Sequence, residues 1–346
     1  MADNTIGHGR AEIHITPADL GRRVSVRRIL GVSEGRPVFA DVVGVLTSWD
    51  NGLLRVVNRA GETVEVSQDA LVAAKAVPPP PVRRGRGAVA AHRAVGIAEL
   101  AAVSARSWPG TETAALGGWT LRAASGFTRR ANSLLPAGPA GLPLDELLEQ
   151  AVGWYRDRGQ TAYVQVTTDV DGADDGLDTE LAARGWTAEA SALIQTAPLA
   201  PLVDAAPTAE VLLSREPGAG WLSRYHRAAD PGADPAAAAA ALAVLRGGPS
   251  VWFATVPGPD GEPPAAIGRG VVDGRWVCFS AVEVAPEHRR RGLATAVMAA
   301  LARAASDEGA DLAHLQVETD NEAALALYDG LGFSTHHRYH YRRAPR

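Results

Sequence analysis

Residues 282–294 read "VEVAPEHRRRGLA", three arginines in a row followed by a glycine and small apolar residues. Leu293, Val297, Ala300, Leu301 and Ala304 recur at helical spacing, so a helix begins near Arg291 or Gly292. A helix's first turn has unpaired N–H groups and the positive end of its dipole, and both attract anions. Gly292 and Ala294 are small enough to let an anion reach the backbone, and Arg289, Arg290 and Arg291 add forked cationic donors. No carboxylate follows in this helix until Asp307. Alone, the stretch reads equally well as a helix that starts with solvated arginines or as a diphosphate site.

A second constellation is "VETDNEAALALYDGLGF" at 317–333. Asn321 suits a helix N-cap, Ala324, Leu327, Tyr328 and Leu331 form one stripe, and Gly332 suits the helix stop. Tyr328 is then a core tyrosine or an acid facing a site, and Asn321 a cap or a ligand contact.

The elements that must position these residues repeat. "YVQVTTD" (163–169) and "HLQVETD" (314–320) agree at four of seven positions. Each follows a helical segment, 144–159 and 293–309, and precedes a short helix ending in glycine and an aromatic, then an alternating strand. The first copy carries Asp145 and Glu146 where the second has arginines, and acids there repel a phosphate. One competent half and one degenerate half make the anion site the better reading of 289–294.

The chain has 346 residues, a net charge of −5 and 34 basic residues, with Lys75 the only lysine. Residues 1–80 carry nine basic and nine acidic residues, so their short strands, a small SH3-like barrel, offer no charge excess for nucleic acid. The single Cys278 excludes an intrachain disulfide and suits a reducing cytoplasm. No run reaches the length of a membrane span, and the N-terminus shows no apolar signal region. The expected organisation is a β-barrel at 1–77, a Pro/Arg/Gly linker at 78–90, a degenerate half at 91–203 and a complete half at 204–346. In the second half a meander of strands followed by βαβα implies a mixed α/β sheet with helices on both faces.

On "VEVAPEHRRRGLA" and "NEAALALYDGLGF", about 27 residues apart, the sequence resembles the GCN5-related N-acetyltransferase superfamily. The stretch "GGWTLRAASGFTRRANSLLP" is similar to actinobacterial proteins that join an SH3-like barrel to a tandem acetyltransferase region. The resemblance implies tandem domains, the first degenerate, with acetyl-CoA as donor and no metal. It implies that the backbone of Val282, Glu283 and Val284 pairs with the pantetheine arm. Arg289, Arg290, Arg291, Gly292, Leu293, Ala294 and Thr295 would wrap the pyrophosphate, Asn321 would contact the cofactor, and Tyr328 would protonate the departing thiolate. Related ribosomal-protein alanine acetyltransferases carry glutamate where this chain has Gln316. That leaves Glu318, Glu283 or water to take the amine's proton, with Glu318 slightly preferred because it shares a strand face with Gln316.

The expected acceptor is an amine, on a small molecule, a protein N-terminus or a lysine. The alternative is a non-catalytic acetyl-CoA sensor, which has no need for a thiolate acid. "HHRYHYRR" (336–343) lacks a carboxylate or thiol and reads as a strand rather than a metal site, and Cys278 reads as buried. "TRRANS" (128–133) is either a surface strand or part of the acceptor site.

Overall fold

The computed structural model describes residues 13–33, 36–58, 63–76, 95–169, 176–227, 234–259 and 262–345. The expected linker at 78–90 lies outside these residues. The chain divides into two compact units, Met1–Pro81 and Val82–Arg346.

The first unit is all-β, as its alternating runs predict: β1 (Ile13–His14), β2 (Arg23–Ser33), β3 (Arg36–Asp50), β4 (Leu53–Asn58), β5 (Thr63–Ser67) and β6 (Leu71–Ala76). The sheet order is β1-β6-β2-β3-β4-β5, around a core of Val24, Val26, Leu46, Leu54, Val56 and Val66. The hairpin expected at "DNG" is present, with Asn51 (φ 51°) and Gly52 (φ 75°) both left-handed, as a tight β3–β4 turn requires.

The second unit opens with α1 (Ile97–Ser107), β7 (Glu112–Leu116), β8 (Trp119–Ala123), α2 (Leu144–Arg156), β9 (Tyr163–Thr168), α3 (Leu177–Ala183), β10 (Thr187–Pro198) and α4 (Ala200–Val203). It continues with β11 (Leu212–Ser214), α5 (Ala219–Arg224), α6 (Pro235–Arg246), β12 (Ser250–Val256), β13 (Ala266–Asp273) and β14 (Trp276–Val284). Last come α7 (Leu293–Asp307), β15 (Leu312–Glu318), α8 (Glu322–Gly330) and β16 (Ser334–Arg343). Eight of these strands form one mixed sheet in the order β11-β12-β13-β14-β15-β10-β16-β9.

That order contains a reciprocal exchange. β10 is inserted between β15 and β16, and β16 between β9 and β10, all antiparallel. Each half thus completes its sheet with the other's final strand. The internal echo has a three-dimensional counterpart: α2–β9–α3–β10 matches α7–β15–α8–β16. Trp186 N donates to Leu181 O and Phe333 N to Tyr328 O, both at 3.0 Å, around left-handed Gly185 and Gly332. By this match, Leu181 of the first half stands where the second half has Tyr328.

The alanine-rich α7 buries most of its length against β12, β13 and β14. Gly268 of β13 permits that approach, since a Cβ there would come within 2.4 Å of Val297 Cγ1. Between Gly268 and Gly270, Arg269 is fully buried and reaches the opposite face. Its guanidinium donates to Leu245 O (2.6 Å), Gly247 O (2.5 Å), Ser107 O (3.0 Å) and Ser280 Oγ (3.2 Å). Those carbonyls close the C-termini of α6 and α1, where a cation also meets the negative ends of two dipoles. Burial lowers this arginine only to about 10, so it stays charged at neutral pH.

Two histidines are buried without charge. His314 on β15 packs edge-on to Trp276 at 5.7 Å, with Nε2 unpartnered, and burial pushes it down to about 3. His337 on β16 is lowered to about 4, by burial first and then by the His336 charge.

Two expectations follow for stability. Arg269→Leu strands at least three helix-terminal carbonyls and lowers unfolding free energy by about 3 kcal/mol, measurable by urea titration. Because both histidines titrate lower when folded, the unfolded chain binds the extra protons below pH 6.5. The stability they contribute is complete above that value and is lost as pH falls toward 4, at up to ~1.4 kcal/mol per pH unit for each histidine. Melting curves recorded from pH 7 to 4 check this, and His314→Phe flattens the decline.

Candidate active site

The site begins where two strands part. β14 and β15 run parallel and paired from Trp276↔Leu312 to Phe279↔Leu315. Beyond that point β14 follows β13, with Glu283 opposite Ile267, while β15 follows β10, with Glu318 opposite Ala192. Ala281 at φ 50° and a register shift between Ile267 and Arg269 mark the bulge that turns β14 away. A cavity of about 300 Å³ fills the wedge, bordered by Val282 and Glu283 on one strand and Gln316 and Glu318 on the other. Val284 is outside the lining and packs against the hydrophobic core.

The loop after β14 leads into α7 through two left-handed residues, Arg290 (φ 59°) and Gly292 (φ 77°). Gly292 is the N-cap, and no side chain caps the helix. Successive N–H groups in such a loop, added to a free helix N-terminus, make an anion-binding concavity. Arg289, Arg290, Arg291 and Gly292 are exposed, and Leu293, Ala294 and Thr295 are partly buried. None of the seven lines the cavity; they follow it along the chain. Among the described residues none of these arginines pairs with a carboxylate, and Arg291 Nη1 lies 2.9 Å from His288 Nδ1. The matching helix α2 starts with Asp145 and Glu146, and Asp145 pairs with Arg184 at 2.5 Å.

Helix α8 brings Asn321, Ala324 and Tyr328 to the cavity. Asn321 is an N-cap, its Oδ1 accepting from Ala324 N at 3.1 Å, and it lines the cavity. The Tyr328 ring packs on Phe333 at 5.9 Å, and burial pushes its phenol up to about 12, so the proton stays on. Glu283 accepts from His226 N at 3.2 Å and also contacts His226 Nδ1. Glu318, more exposed, pairs with Arg227 Nη2 at 3.1 Å. Gln316 Oε1 accepts from the Tyr339 hydroxyl at 2.8 Å.

The first half supplies the remaining wall. Thr128, Arg129 and Arg130 of "TRRANS" line the cavity, together with Trp108, Ala190 and Ala192. Trp108, Tyr225, Tyr339 and Tyr341 form an aromatic lining that sequence reading did not assemble, because they come from three segments far apart in the chain. The "HHRYHYRR" histidines are engaged elsewhere: His336 with Val95 O (2.7 Å) and His337, and His340 with Asp178 (2.6 Å). Among the described residues no group of three or more His, Cys, Asp or Glu is arranged to hold a metal ion. Cys278 is buried, as expected, and burial raises its thiol. No helix among the described residues is long and apolar enough to cross a membrane.

Known proteins are similar to this chain. A family model described as "Probable histone acetyltransferase Rv0428c C-terminal" matches residues 94–342, and one described as "Rv0428c N-terminal Sm-like domain" matches 18–75. The uncharacterised N-acetyltransferase YobR of Bacillus subtilis is 28% identical over 71% of this chain and 98% of its own length. The probable histone acetyltransferase Rv0428c of Mycobacterium tuberculosis is 28% identical over 93% of this chain and 94% of its own. Among solved structures, a GCN5-related N-acetyltransferase from Kribbella flavida covers 73% of this chain and 97% of its own, at 18% identity and TM-score 0.52. A tandem acetyltransferase from the clavulanic acid biosynthesis pathway covers 61% and 74%, at 16% identity and TM-score 0.50. The fold is that of these GCN5-related N-acetyltransferase structures, and the chain belongs to the family whose model is described as "Probable histone acetyltransferase Rv0428c C-terminal".

Proposed function

We propose that this protein transfers the acetyl group of acetyl-CoA to an amine by direct attack, with the C-terminal half carrying the chemistry. The observation that carries the reading is the wedge itself, where Tyr328 and Asn321 face one cavity and β14 runs on into an acid-free helix start. The first half lacks both features, with Leu181 in place of Tyr328 and acids at the start of α2.

Acetyl-CoA, when bound, supplies an activated acyl thioester. The protein's own part is to hold and orient. Backbone groups of Val282, Glu283 and Val284 on the side of β14 that has parted from β15 suit an added strand. The N–H groups from Arg289 to Thr295 suit a diphosphate, the arginine side chains adding charge from solvent. Asn321 keeps its carbonyl on the helix cap and offers its amide. Tyr328 holds a proton at its Oη, available to a leaving thiolate.

An ammonium acceptor must lose a proton first. Glu283 is the better of the two carboxylates for this. Its side chain is 20% exposed and its partner is a histidine, whereas Glu318 is 58% exposed and ion-paired with Arg227. This reverses the slight sequence preference for Glu318.

Thiol release from acetyl-CoA with an amine panel tests the reading. Tyr328→Phe is expected to lower kcat by ~10²-fold with unchanged acetyl-CoA affinity, and Glu283→Gln to lower it at least as much. Glu318→Gln should alter kcat by less than about threefold, in line with an exposed, salt-bridged side chain. Gly292→Glu, which strains a left-handed position and puts an acid at the helix start, should weaken acetyl-CoA binding about tenfold. Since Tyr328 titrates only near 12, the kcat profile should show no alkaline fall below pH 10 from this group. Absence of acetyl-CoA binding by the unaltered protein would overturn the proposal.

A further inference from the structure

One cation in the cavity wall, Arg130, pairs with no carboxylate among the described residues. The Arg130 guanidinium lies over the Trp108 ring, 5.3 Å from its centroid. Its Nε is sealed from solvent and has no hydrogen-bond partner. Two further buried arginines, Arg122 and Arg269, are near enough for their charges to oppose it. Both of those bond only to neutral carbonyl, hydroxyl and amide oxygens. Among the described residues none of the three has a carboxylate partner. Arg130's polar neighbours are the Tyr339 phenol, to which it hydrogen-bonds, Tyr341 and Cys278. Burial raises both Tyr341 and Cys278, so these neighbours stay neutral. A buried guanidinium without an anion is unfavourable, and the favourable way to satisfy it is a ligand that brings one.

The loop that carries Arg130 is fixed at some cost. Thr128 is β-branched yet held at φ 58°. Trp108 Nε1 donates to its Oγ1 at 3.0 Å. The buried Asn132 side chain accepts from Ala124 N (2.7 Å) and Gly126 N (3.0 Å), and donates to Phe127 O and Thr128 O, both at 2.8 Å. Four hydrogen bonds from one amide over-determine a strained loop, and that loop presents two arginines. Arg129 is occupied by Glu189 at 3.1 Å, which leaves Arg130 to the cavity.

We propose that the acceptor is a small amino carboxylate whose carboxylate is received by Arg130 while its amine meets Glu283. This rests on the acetyl-transfer reading above for the amine's fate. A single planar guanidinium fork beside phenol hydroxyls matches one carboxylate, whereas a phosphate dianion calls for more donors. The cavity's 300 Å³ is at the small end of ligand sites and suits a molecule of amino-acid size. The cavity lining carries both signs: Glu318 is paired with Arg227 and Arg129 with Glu189, which leaves Glu283, beside His226, and Arg130 as the groups for a ligand's two charges. A zwitterion matches that pattern, and a lysine side chain within a peptide, which brings only a cation, does not.

Calorimetry on the full chain with CoA present, using free α- and ω-amino acids each paired with its decarboxylated amine, tests the assignment. At least one amino acid should bind on the order of 100-fold tighter than its decarboxylated partner. Arg130→Gln should abolish that preference and Arg130→Lys restore part of it, with thermal melting confirming that each variant is folded. Equal binding within every pair, a preference that survives Arg130→Gln, or binding of a terminally blocked lysyl peptide alone would overturn the assignment. Thiol release is read separately. Amino acids that bind through Arg130 without any acetyl-CoA turnover would sink the transfer reading and leave the carboxylate site standing.

Discussion

The second unit is organised around one buried guanidinium. Arg269 leaves β13 between two glycines and meets the terminal carbonyls of α1, from the first half, and α6, from the second. Helix ends left unpaired in the interior would each cost a hydrogen bond's worth of desolvation, so one side chain satisfies a debt of both halves. Its contact with Ser280 Oγ also fixes β14 one residue before the Ala281 bulge. The Trp108 ring lies 5.0 Å from Arg269 on one account and 5.3 Å from Arg130 on another. A structural cation and a site cation thus share one aromatic, and the geometry of the cavity wall is tied to the helix clamp.

Around that clamp the halves are not merely adjacent. The β10–β16 exchange makes a single core from two copies, so the degenerate copy cannot be lost without opening the sheet. Its freedom has gone into the cavity instead. The first half keeps acids at the start of α2, a leucine at the Tyr328 position, and a strained loop that lines the other copy's wedge. Gln165 and Gln316, the matched residues of the two echoes, show the same division of labour. The first accepts from buried Arg122 at 3.0 Å, the second from Tyr339 at 2.8 Å in the cavity.

Much of this was legible in the residues. The Asn321 cap, the helix start at Gly292, the contrast between Arg289–Arg291 and Asp145–Glu146, and the duplication all rest on local spacing, which sequence carries directly. The strand exchange was not legible, because alternation in "TAEASALIQTA" and "STHHRYHYRR" tells which faces are buried but not which neighbour a strand takes. Arg269 was equally silent, since "GRG" inside an apolar run specifies a close helix approach only when the helix is in view. The aromatic lining around Arg130, which has no carboxylate partner among the described residues, arises from residues more than a hundred positions apart, such as Trp108 and Tyr339.

The exchange has a consequence for how the molecule is made. β10 is synthesised well before β15 and β16, the two strands that flank it, and β9 gains its partner only with β16. Until β16 emerges, the first half carries two open strand edges and a core that lacks a layer. Such edges are templates for wrong pairing, and loop closure over some 140–180 residues is slow compared with local folding. A nascent chain of this design stays dependent on shielding until β16 has emerged, and a chain interrupted within that strand leaves both halves without a sheet partner.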